Sequence, residues 1–354
     1  MAKVKIKSLR TLAERKDPKF SKTPVAGMNI ALGGSLDGGL VEGTIVQLVG
    51  QKGTLKSFCS LLCASGYLRE NPDAVILFLD TEGGVPKKYF NSIGINEERV
   101  IVVDISHIDD LMVKSKAYAE HLHSEGIKFV MIVDGIGMIP SKKELEDIEK
   151  GDPKAAMARP KDMKAYFRSI TLLVKQLSFP CVIVNHSAKA MDQHSVEEPT
   201  GGEGSKNSSN VIIMMQKSKS REGTEIVGHK FIMKIYKSRY IKEHSKIPIY
   251  MDFNKNLDPF TGLWDICFDD IKCIQSFKHA WYSFCDPNTG EIFNIEYEDE
   301  QGNMVTGDSF RKDAVRENKS FWRYVIANTT FKEIIKSYYC LGYTKQIEDE
   351  WEEF

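Results

Sequence analysis

The sequence has 354 residues, of which 42% are hydrophobic and 27% are charged, and this composition is typical of a globular protein. The length exceeds what one compact core usually supports, so one large domain and one smaller domain are expected. The formal net charge of −1 excludes a global positive field that would attract nucleic acid, so any DNA binding must rely on local patches.

The first 24 residues have the composition of a short arm and a linker. The basic segment VKIKSLRTLAERK is followed by Pro18 and Pro24. Prolines interrupt regular structure, so this part of the chain is predicted to lie outside the main core.

From about residue 44 the sequence alternates short apolar runs with helical stretches. The runs are TIVQLVG, AVILFLD, FVMIVDG, CVIVNH, VIIMMQ and FIMKIY. They are apolar throughout, which is typical of strands in a mainly parallel sheet that is covered on both faces. The pattern predicts an α/β core over residues 25–263. Within that core, the stretch 187–210 lacks a periodic apolar pattern and is predicted to be a functional or disordered loop.

After about residue 263 the sequence becomes aromatic and polar. The turn signals DPNTG and EDEQGN flank EIFNIEYE and predict hairpins, and SFWRYVIANTTFKEIIKSYYCLG predicts helices. Residues 264–354 are therefore predicted to form a small α+β domain that ends in an acidic tail. The simplest interpretation of that tail, IEDEWEEF, is a solvated terminus.

The stretch GQKGTLKS, residues 50–57, has nearly the form G-x-x-x-x-G-K-[ST] of a nucleotide phosphate loop. A predicted strand precedes it and a predicted helix follows it, which is the context that the motif requires. Backbone N–H groups would hold the β-phosphate, Lys56 would reach the β and γ phosphates, and Ser57 would bind Mg²⁺. Leu55 replaces the second glycine, and we expect an ordinary helical conformation there. The alternative is a chance match in a glycine-rich turn.

Two carboxylates follow later strands of the predicted sheet. AVILFLD is followed by Glu82, which could orient and deprotonate an attacking water. FVMIVDG carries Asp134, the residue type expected to hold the magnesium shell through water or Ser57. Each strand end alone is a weak signal, because apolar strands often end in aspartate for reasons of turn geometry. Together with the loop they predict an ATP site.

The cysteines and the start of the chain indicate a reducing compartment. Seven cysteines form no C-x-x-C pair, and several lie in apolar runs, which favours reduced core thiols over a disulfide framework or a zinc site. The chain has no long apolar run and no export signal, so we expect a cytoplasmic protein with no membrane partner.

These motifs resemble the RecA family, and within it the phage recombinases, over nearly the whole chain from about Pro24. The segments that carry the resemblance are MNIALGG, the phosphate loop, NPDAVILFLDTE, VDGIG, IPSKKELED, FPCVIVNH, YKSR and LDPFTGLWD. The resemblance implies a RecA-like P-loop ATPase core with an N-terminal polymerisation arm. It also implies an ATP- and Mg²⁺-dependent recombinase that forms helical filaments on single-stranded DNA, exchanges strands with double-stranded DNA, and works with a mediator and a single-strand binding protein.

The resemblance also implies roles for individual residues. Tyr89 would stack on adenine, Asn185 and His186 would sense the γ-phosphate, and Lys237 and Arg239 would reach the nucleotide of a neighbouring subunit. The implied catalytic residues are Glu82, Lys56, His186, Lys237 and Arg239. The implied nucleotide contacts are Gly50, Gly53, Thr54, Leu55, Lys56, Ser57, Phe58, Tyr89 and Asn185, and the implied metal-site residues are Ser57 and Asp134.

Two segments, residues 150–161 and 187–210, match the DNA-binding loops of the family. The candidate DNA contacts are Lys150, Lys154, Arg159, Lys161, Lys189, Gly201, Gly202 and Lys206. The sequence departs from the family at Gly135, where serine is usual, and at Pro86, where an acidic adenine contact is usual.

Several alternatives stay open at the level of the sequence. By composition alone, the first segment is more typical of a solvated loop, the second is equally typical of a disordered lid, and His186 is more typical of a structural histidine. Lys237 and Arg239 alternate as they would on an exposed strand face. A ring-forming DNA helicase or loader, or an ATP-binding assembly protein without turnover, are the rival functions.

Overall fold

The computed structural model describes residues 17–150, 159–188, 197–222, 224–255 and 257–342. The basic segment of the arm, Lys154, Lys189 and the acidic tail lie outside these residues. In chain order, the helices are α1 (Ala26–Gly33), α2 (Lys56–Glu70), α3 (Lys87–Ile93), α4 (Ile108–Ser124), α5 (Lys142–Glu149), α6 (Arg159–Leu177), α7 (Gly202–Ser208), α8 (Leu263–Asp265), α9 (Lys312–Val315), α10 (Lys319–Asn328) and α11 (Phe331–Tyr339). A 3₁₀ turn spans Glu97–Arg99, and a π-helical segment spans Ile266–Ile271.

The strands, again in chain order, are β1 (Phe20–Ser21), β2 (Leu40–Val41), β3 (Ile45–Gly50), β4 (Val75–Asp80), β5 (Val100–Asp104), β6 (Phe129–Asp134), β7 (Cys181–Asn185), β8 (Ser187–Ala188), β9 (Glu198–Pro199), β10 (Val211–Glu222), β11 (Glu225–Lys237), β12 (Lys246–Asp252), β13 (Ile274–Lys278), β14 (Trp281–Phe284), β15 (Ile295–Glu298), β16 (Met304–Gly307) and β17 (Phe310–Arg311). Within the described residues, eight of them form one sheet in the order β12–β11–β10–β3–β7–β6–β4–β5.

The central sheet is mainly parallel, and every apolar run singled out in the sequence contributes a strand to it. The strands from β10 to β5 are parallel to their neighbours, and β11 runs antiparallel between β10 and β12. The predicted α/β class is confirmed. The edge strands β5 and β12 are not among the runs singled out in the sequence, although β5 is as apolar as they are; β12 contains Pro248, a residue that sheets admit mainly at edges.

Both faces of the sheet are buried, which is why the strand sequences do not alternate. Ile76 and Phe78 of β4 join a hydrophobic cluster that includes side chains of α1 and α2. Leu77 and Leu79 of the same strand join a second cluster that includes side chains of α4 and α6. Burial of each such side chain contributes about 1.5–3 kcal/mol, so covering both faces is the main stabilising term of the core.

The C-terminal region is built around aromatic side chains. β13, β14 and β17 form a small antiparallel sheet, and β15 pairs with β16 across the predicted EDEQGN turn. Phe321 of α10 packs edge-on against Phe310, with ring centroids 4.8 Å apart. The predicted hairpins and helices are confirmed. The domain boundary at residue 263 stays a prediction, because one hydrophobic cluster contains side chains from both sides of it.

The cysteines have free thiols, and six of the seven are buried, in agreement with the predicted core location. In the part of the chain that the structure describes, no helix is both long and apolar enough to cross a membrane.

α2 packs so closely against the segment that leads into α1 that no side chain fits at Gly66. A β-carbon at this position would overlap the Lys22 carbonyl group, with its carbon only 2.7 Å away. Glycine to alanine in a helix interior normally stabilises by about 1 kcal/mol. We expect Gly66→Ala to destabilise instead, by about 1–3 kcal/mol, as measured by denaturant unfolding.

Gly27→Ala is the matched control, because its β-carbon would meet side-chain atoms of Ile247 and Ile249 at 3.4 and 3.6 Å, which is ordinary contact. This control should be neutral or stabilising. Equal effects of the two substitutions would contradict the packing described here.

Candidate nucleotide-binding site

The loop between β3 and α2 has the geometry of a phosphate loop. A β-carbon at Gly50 would lie 2.5 Å from the carbonyl oxygen of Met215 on β10, so the end of the strand requires glycine. Gly53 has open space around it but a φ of 80°, so glycine is needed there for its backbone conformation. The Thr54 hydroxyl donates to the Gln51 carbonyl over 2.8 Å and closes the loop.

Leu55 corrects one expectation drawn from the sequence. Its φ of 62° and ψ of 19° place it in the left-handed region immediately before α2, so the predicted ordinary helical conformation is wrong. The backbone therefore keeps the form that favours the motif's glycine, at a cost of about 1–2 kcal/mol for a residue with a β-carbon. The half-buried leucine side chain packs against the hydrophobic cluster beneath it, which offsets that cost.

Lys56 is the buried cation of the site. Its Nζ donates to the Gln51 carbonyl oxygen over 2.7 Å, so the loop itself holds the ammonium group. Burial lowers the pKa of Lys56, and the nearby carboxylates of Glu82 and Asp134 partly oppose that shift. A phosphate oxygen would meet this ammonium group better than the carbonyl does, because phosphate is charged.

Ser57 and Asp134 form the element of the site that could hold a metal ion. The Ser57 hydroxyl donates to Oδ1 of Asp134 over 2.9 Å. Burial raises the pKa of Asp134 to about 6, and the charges of Glu82 and Asp80 add to that effect against the Ser57 hydrogen bond. No group of three acidic, histidine or cysteine side chains suited to a metal occurs among the described residues. One hydroxyl and one carboxylate nevertheless fit Mg²⁺, which retains several waters and takes other ligands from phosphates.

Glu82 and His186 meet across the carboxyl ends of β4 and β7. Oε1 of Glu82 lies 3.1 Å from Nε2 of His186. A β-carbon at Gly135 would overlap the Glu82 side chain, 2.5 Å from its Cγ, and one at Gly137 would lie 2.7 Å from Cβ of His186. The absence of side chains at both positions makes room for the pair. The departure from serine at position 135 therefore has a steric reason.

These side chains converge on one cleft of about 580 Å³. It is lined by Lys52, Gly53, Thr54, Leu55, Lys56, Ser57, Phe58, Glu82, Gly84, Val85, Tyr89, Asp134, Val184, His186 and Lys217. Phe58 and Tyr89 pack edge-on with ring centroids 5.7 Å apart, and they supply an aromatic wall. Lys217 was missed by sequence reasoning, since it enters from β10, which follows β3 by more than 160 residues and belongs to no motif.

Asn185 lies beneath the cleft and is fully buried. Its amide nitrogen donates to Oε1 of Gln47 over 3.0 Å and to the Thr200 carbonyl over 2.9 Å. The position connects the end of β7 to the segment that follows it. A direct contact of Asn185 with nucleotide stays a prediction.

Some of the candidate DNA contacts border a groove or are exposed, whereas Lys206 is engaged in ion pairs. Arg159 begins α6, and its guanidinium donates to the carbonyls of Ile139 and Gly137. It borders a groove of about 460 Å³ that Gly201 and Gly202, at the start of α7, also line. Lys150 and Lys161 are exposed.

Lys206 is engaged in ion pairs, because its Nζ lies 2.8 Å from Glu198 and 3.1 Å from Glu203. Lys237, at the end of β11, donates to the Lys206 carbonyl over 2.7 Å, and burial lowers its pKa, as does the charge of Arg239. Arg239 is exposed. The roles of these residues toward DNA or a neighbouring subunit stay predictions.

Comparisons with known proteins agree with this geometry. The model of the RecA N-terminal domain family matches residues 5–258. The "Recombination and repair protein" of Enterobacteria phage T4 is 31% identical over 325 residues, which cover 91% of this chain and 79% of that protein. "Protein RecA" of Borreliella burgdorferi is 22% identical over 260 residues, 72% of this chain and 68% of that protein. "Protein RecA" of Cytophaga hutchinsonii is 24% identical over 279 residues, 78% and 75% of the two chains.

The raised pKa of Asp134 predicts a dependence of stability on pH. The carboxyl group binds its proton more tightly in the folded protein, with a pKa of about 6, than in the unfolded chain, where the value is near 3.8. Stability therefore falls as the pH rises from about 4 to about 6. We expect Asp134→Asn to be more stable than the parent protein at pH 7, by about 1–3 kcal/mol, with a difference that shrinks toward pH 4.

Denaturant unfolding at pH 4, 5, 6 and 7 measures this effect. Asp308→Asn, which removes an exposed carboxylate, is the control and should change little at any of these pH values. A loss of stability in Asp134→Asn at pH 7 would contradict the prediction, because it would show that the charged carboxylate stabilises the folded protein.

Proposed function

The chain belongs to the RecA family, and from that premise we propose that it is an ATP-dependent DNA strand-exchange recombinase of the phage type. The membership confirms the resemblance predicted from the sequence, including its likeness to the phage recombinase UvsX. The observation that carries the proposal is the convergence of Lys56, Ser57, Asp134, Glu82 and His186 on one cleft. The T4 relative named for recombination and repair matches nearly the whole chain, which supports the same function.

The phosphate loop binds the triphosphate of ATP in this proposal. Lys56 exchanges the Gln51 carbonyl for phosphate oxygens, and the N–H groups at the start of α2 surround the β-phosphate. Ser57 and Asp134 are the residues that would hold Mg²⁺, with Asp134 in its charged form. When bound, Mg²⁺ neutralises charge on the β and γ phosphates. The edge-on pair of Phe58 and Tyr89 offers an aromatic surface for the base.

Glu82 is the general base of the proposed hydrolysis. Its carboxylate orients a water molecule against the γ-phosphate and accepts the proton that the water loses. Because Oε1 of Glu82 is within hydrogen-bond distance of His186, the two side chains hold each other when no nucleotide competes for them. A γ-phosphate that attracts His186 releases Glu82 for the water and moves the start of the segment that follows β7.

Assembly on DNA completes the proposal. Subunits form a helical filament on single-stranded DNA, with Lys237 and Arg239 reaching the nucleotide of the neighbouring copy. The groove between α6 and α7 is lined by described residues of both proposed DNA-binding segments, among them Arg159 and the glycines at the start of α7. Double-stranded DNA, a mediator and a single-strand binding protein are the further partners, and the host cytoplasm is the expected location.

The sequence also raised two rival functions. No specific observation favours a ring-forming helicase or loader, whereas the similarity to the T4 protein extends over 91% of the chain. An assembly protein without turnover is disfavoured by the presence of Glu82 beside Lys56 in the cleft. Negative-stain images together with phosphate release distinguish the three, since only the recombinase predicts open helical filaments with DNA-stimulated release.

Lys56→Ala tests the assigned phosphate site. Loss of the buried cation should abolish ATP-dependent filaments and strand exchange, because the triphosphate loses its main charged partner. Electron microscopy and a strand-exchange assay with ATP provide the readouts. Lys116→Ala, which removes an exposed lysine of α4 that does not line the cleft, is the control and should retain both activities. Filaments and exchange by Lys56→Ala would show that the site is wrong.

Glu82→Gln tests the role of the carboxylate separately from binding. Glutamine retains the size and a hydrogen-bonding oxygen but cannot accept the proton of water. We expect DNA binding with ATP to persist, while DNA-stimulated hydrolysis falls by about 10²-fold or more. Phosphate release and DNA affinity are measured on the same samples. Hydrolysis near the parent rate contradicts the assignment of Glu82 as the base.

A further inference from the structure

Gln47 lies in the middle of β3 and is completely buried, three residues before the phosphate loop begins. Its amide nitrogen lies 2.9 Å from both the carbonyl and the hydroxyl of Ser205, and 2.6 Å from the hydroxyl of Ser209. Its amide oxygen accepts from Asn185 over 3.0 Å and from the Ser205 hydroxyl over 3.0 Å. Both ends of the amide are therefore satisfied by groups that are distant in sequence.

The partners of Gln47 belong to the two structures that respond to ligands in the proposed function. Ser205 and Ser209 belong to, or directly follow, α7 in the second DNA loop. Asn185 ends β7 immediately before His186. The amide of Thr200 donates to the His186 carbonyl over 3.0 Å, so the segment entering α7 also follows any movement of His186.

Two further contacts join β3 and its loop to the same segment. Asn210 exchanges two hydrogen bonds with the backbone of Ile45, over 3.0 and 2.8 Å. Gln51 of the phosphate loop donates to Glu197 over 3.0 Å, although both side chains are exposed. The segment 197–210 is therefore hydrogen-bonded to β3 and the phosphate loop at three places, which are Ile45, Gln47 and Gln51.

A packing role alone does not require this amide. Burying an amide without partners costs several kcal/mol, so a glutamine in a central strand is stable only while all its partners stay in place. An aliphatic side chain would fill the same space without demanding one arrangement of α7. A polar network in which every group is hydrogen-bonded instead fixes one arrangement of α7 on β3. When one member of the network moves, the other members must move with it or lose their hydrogen bonds.

We propose that Gln47 is a positioning residue that locks α7 to β3 and so transmits the nucleotide state of the cleft to the second DNA loop. The inference rests on the proposed function and adds to it a route that does not pass through the phosphate loop. A γ-phosphate that displaces His186 and Asn185 also displaces Gln47, because the Asn185 amide is bonded to it. Gln47 in turn displaces Ser205, to which its own amide is bonded.

The test compares the affinity for single-stranded DNA with and without a slowly hydrolysed ATP analogue, in the full-length chain. The ratio of the two affinities measures the coupling between the sites. We expect Gln47→Leu to lower this ratio by about tenfold. The affinity for the nucleotide in the absence of DNA should change by less than about threefold. Ser205→Ala is a milder second variant that removes one partner, and it decides the matter if Gln47→Leu does not fold.

Asn29→Ala is the matched control. Asn29 is also a buried amide with both ends bonded, but its bonds go to the backbone of Thr23 in the linker, and it contributes neither to the cleft nor to the contacts with segment 197–210. It should lower the melting temperature and leave the coupling ratio unchanged. A Gln47→Leu variant that behaves in the same way would overturn the proposal, because its amide would then be structural only.

The double variant Gln47→Leu with Ser205→Ala provides a second criterion. Two residues that act through one contact should give a double variant no worse than Gln47→Leu alone. Independent, multiplicative losses of the ratio would overturn the route through Ser205. If the parent protein shows the same DNA affinity with and without nucleotide, the proposed function fails as well, and that result is seen before any variant is made.

Discussion

The register of the parallel strands is the constraint on which the site depends. Asp80 at the end of β4 lies opposite Asp134 at the end of β6, and Val49 at the end of β3 lies opposite Asn185 at the end of β7. Side chains that are far apart in sequence therefore meet at one edge of the sheet. A shift of one residue in any of these pairings would turn a functional side chain into the hydrophobic clusters. The apolar faces thus fix the chemistry by fixing the register.

That arrangement holds opposite charges in a partly dry site without pairing them directly. Burial raises the pKa of Asp134 and lowers the pKa of Lys56, so both groups are less easily charged here than in water. Their hydrogen bonds to Ser57 and to the Gln51 carbonyl compensate only in part. In the proposed function, a magnesium–triphosphate complex would supply a cation for Asp134 and anionic oxygens for Lys56. Such binding would offset much of the desolvation cost, and a cluster of groups with shifted pKa values is typical of functional sites.

The sequence predicts most of the core and most of the cleft, because both depend on local patterns. Apolar runs identify strands, and charged or glycine residues directly after them identify the site. What it does not predict arises from contacts between distant segments. Leu55 adopts a left-handed conformation that leucine disfavours, with its side chain packed against the hydrophobic cluster, and Gly135 combines a φ of 101° with the close approach of the Glu82 side chain. The engagement of Lys206 with two carboxylates also depends on the fold of a segment that has no periodic pattern.

The short helix α7 and its flanking residues are hydrogen-bonded to three parts of the molecule that have different roles in the proposed function. Gln47 attaches it to the strand that leads into the phosphate loop, and Thr200 attaches its entry to His186. On its other side, the ammonium group of Lys237 donates to the carbonyl of Lys206 within the helix. If Lys237 turns toward the nucleotide of a neighbouring copy, it must release that carbonyl. Nucleotide in the cleft and the arrival of a neighbour would then act on the same helix, so the proposed DNA contacts of its segment would respond to both conditions together.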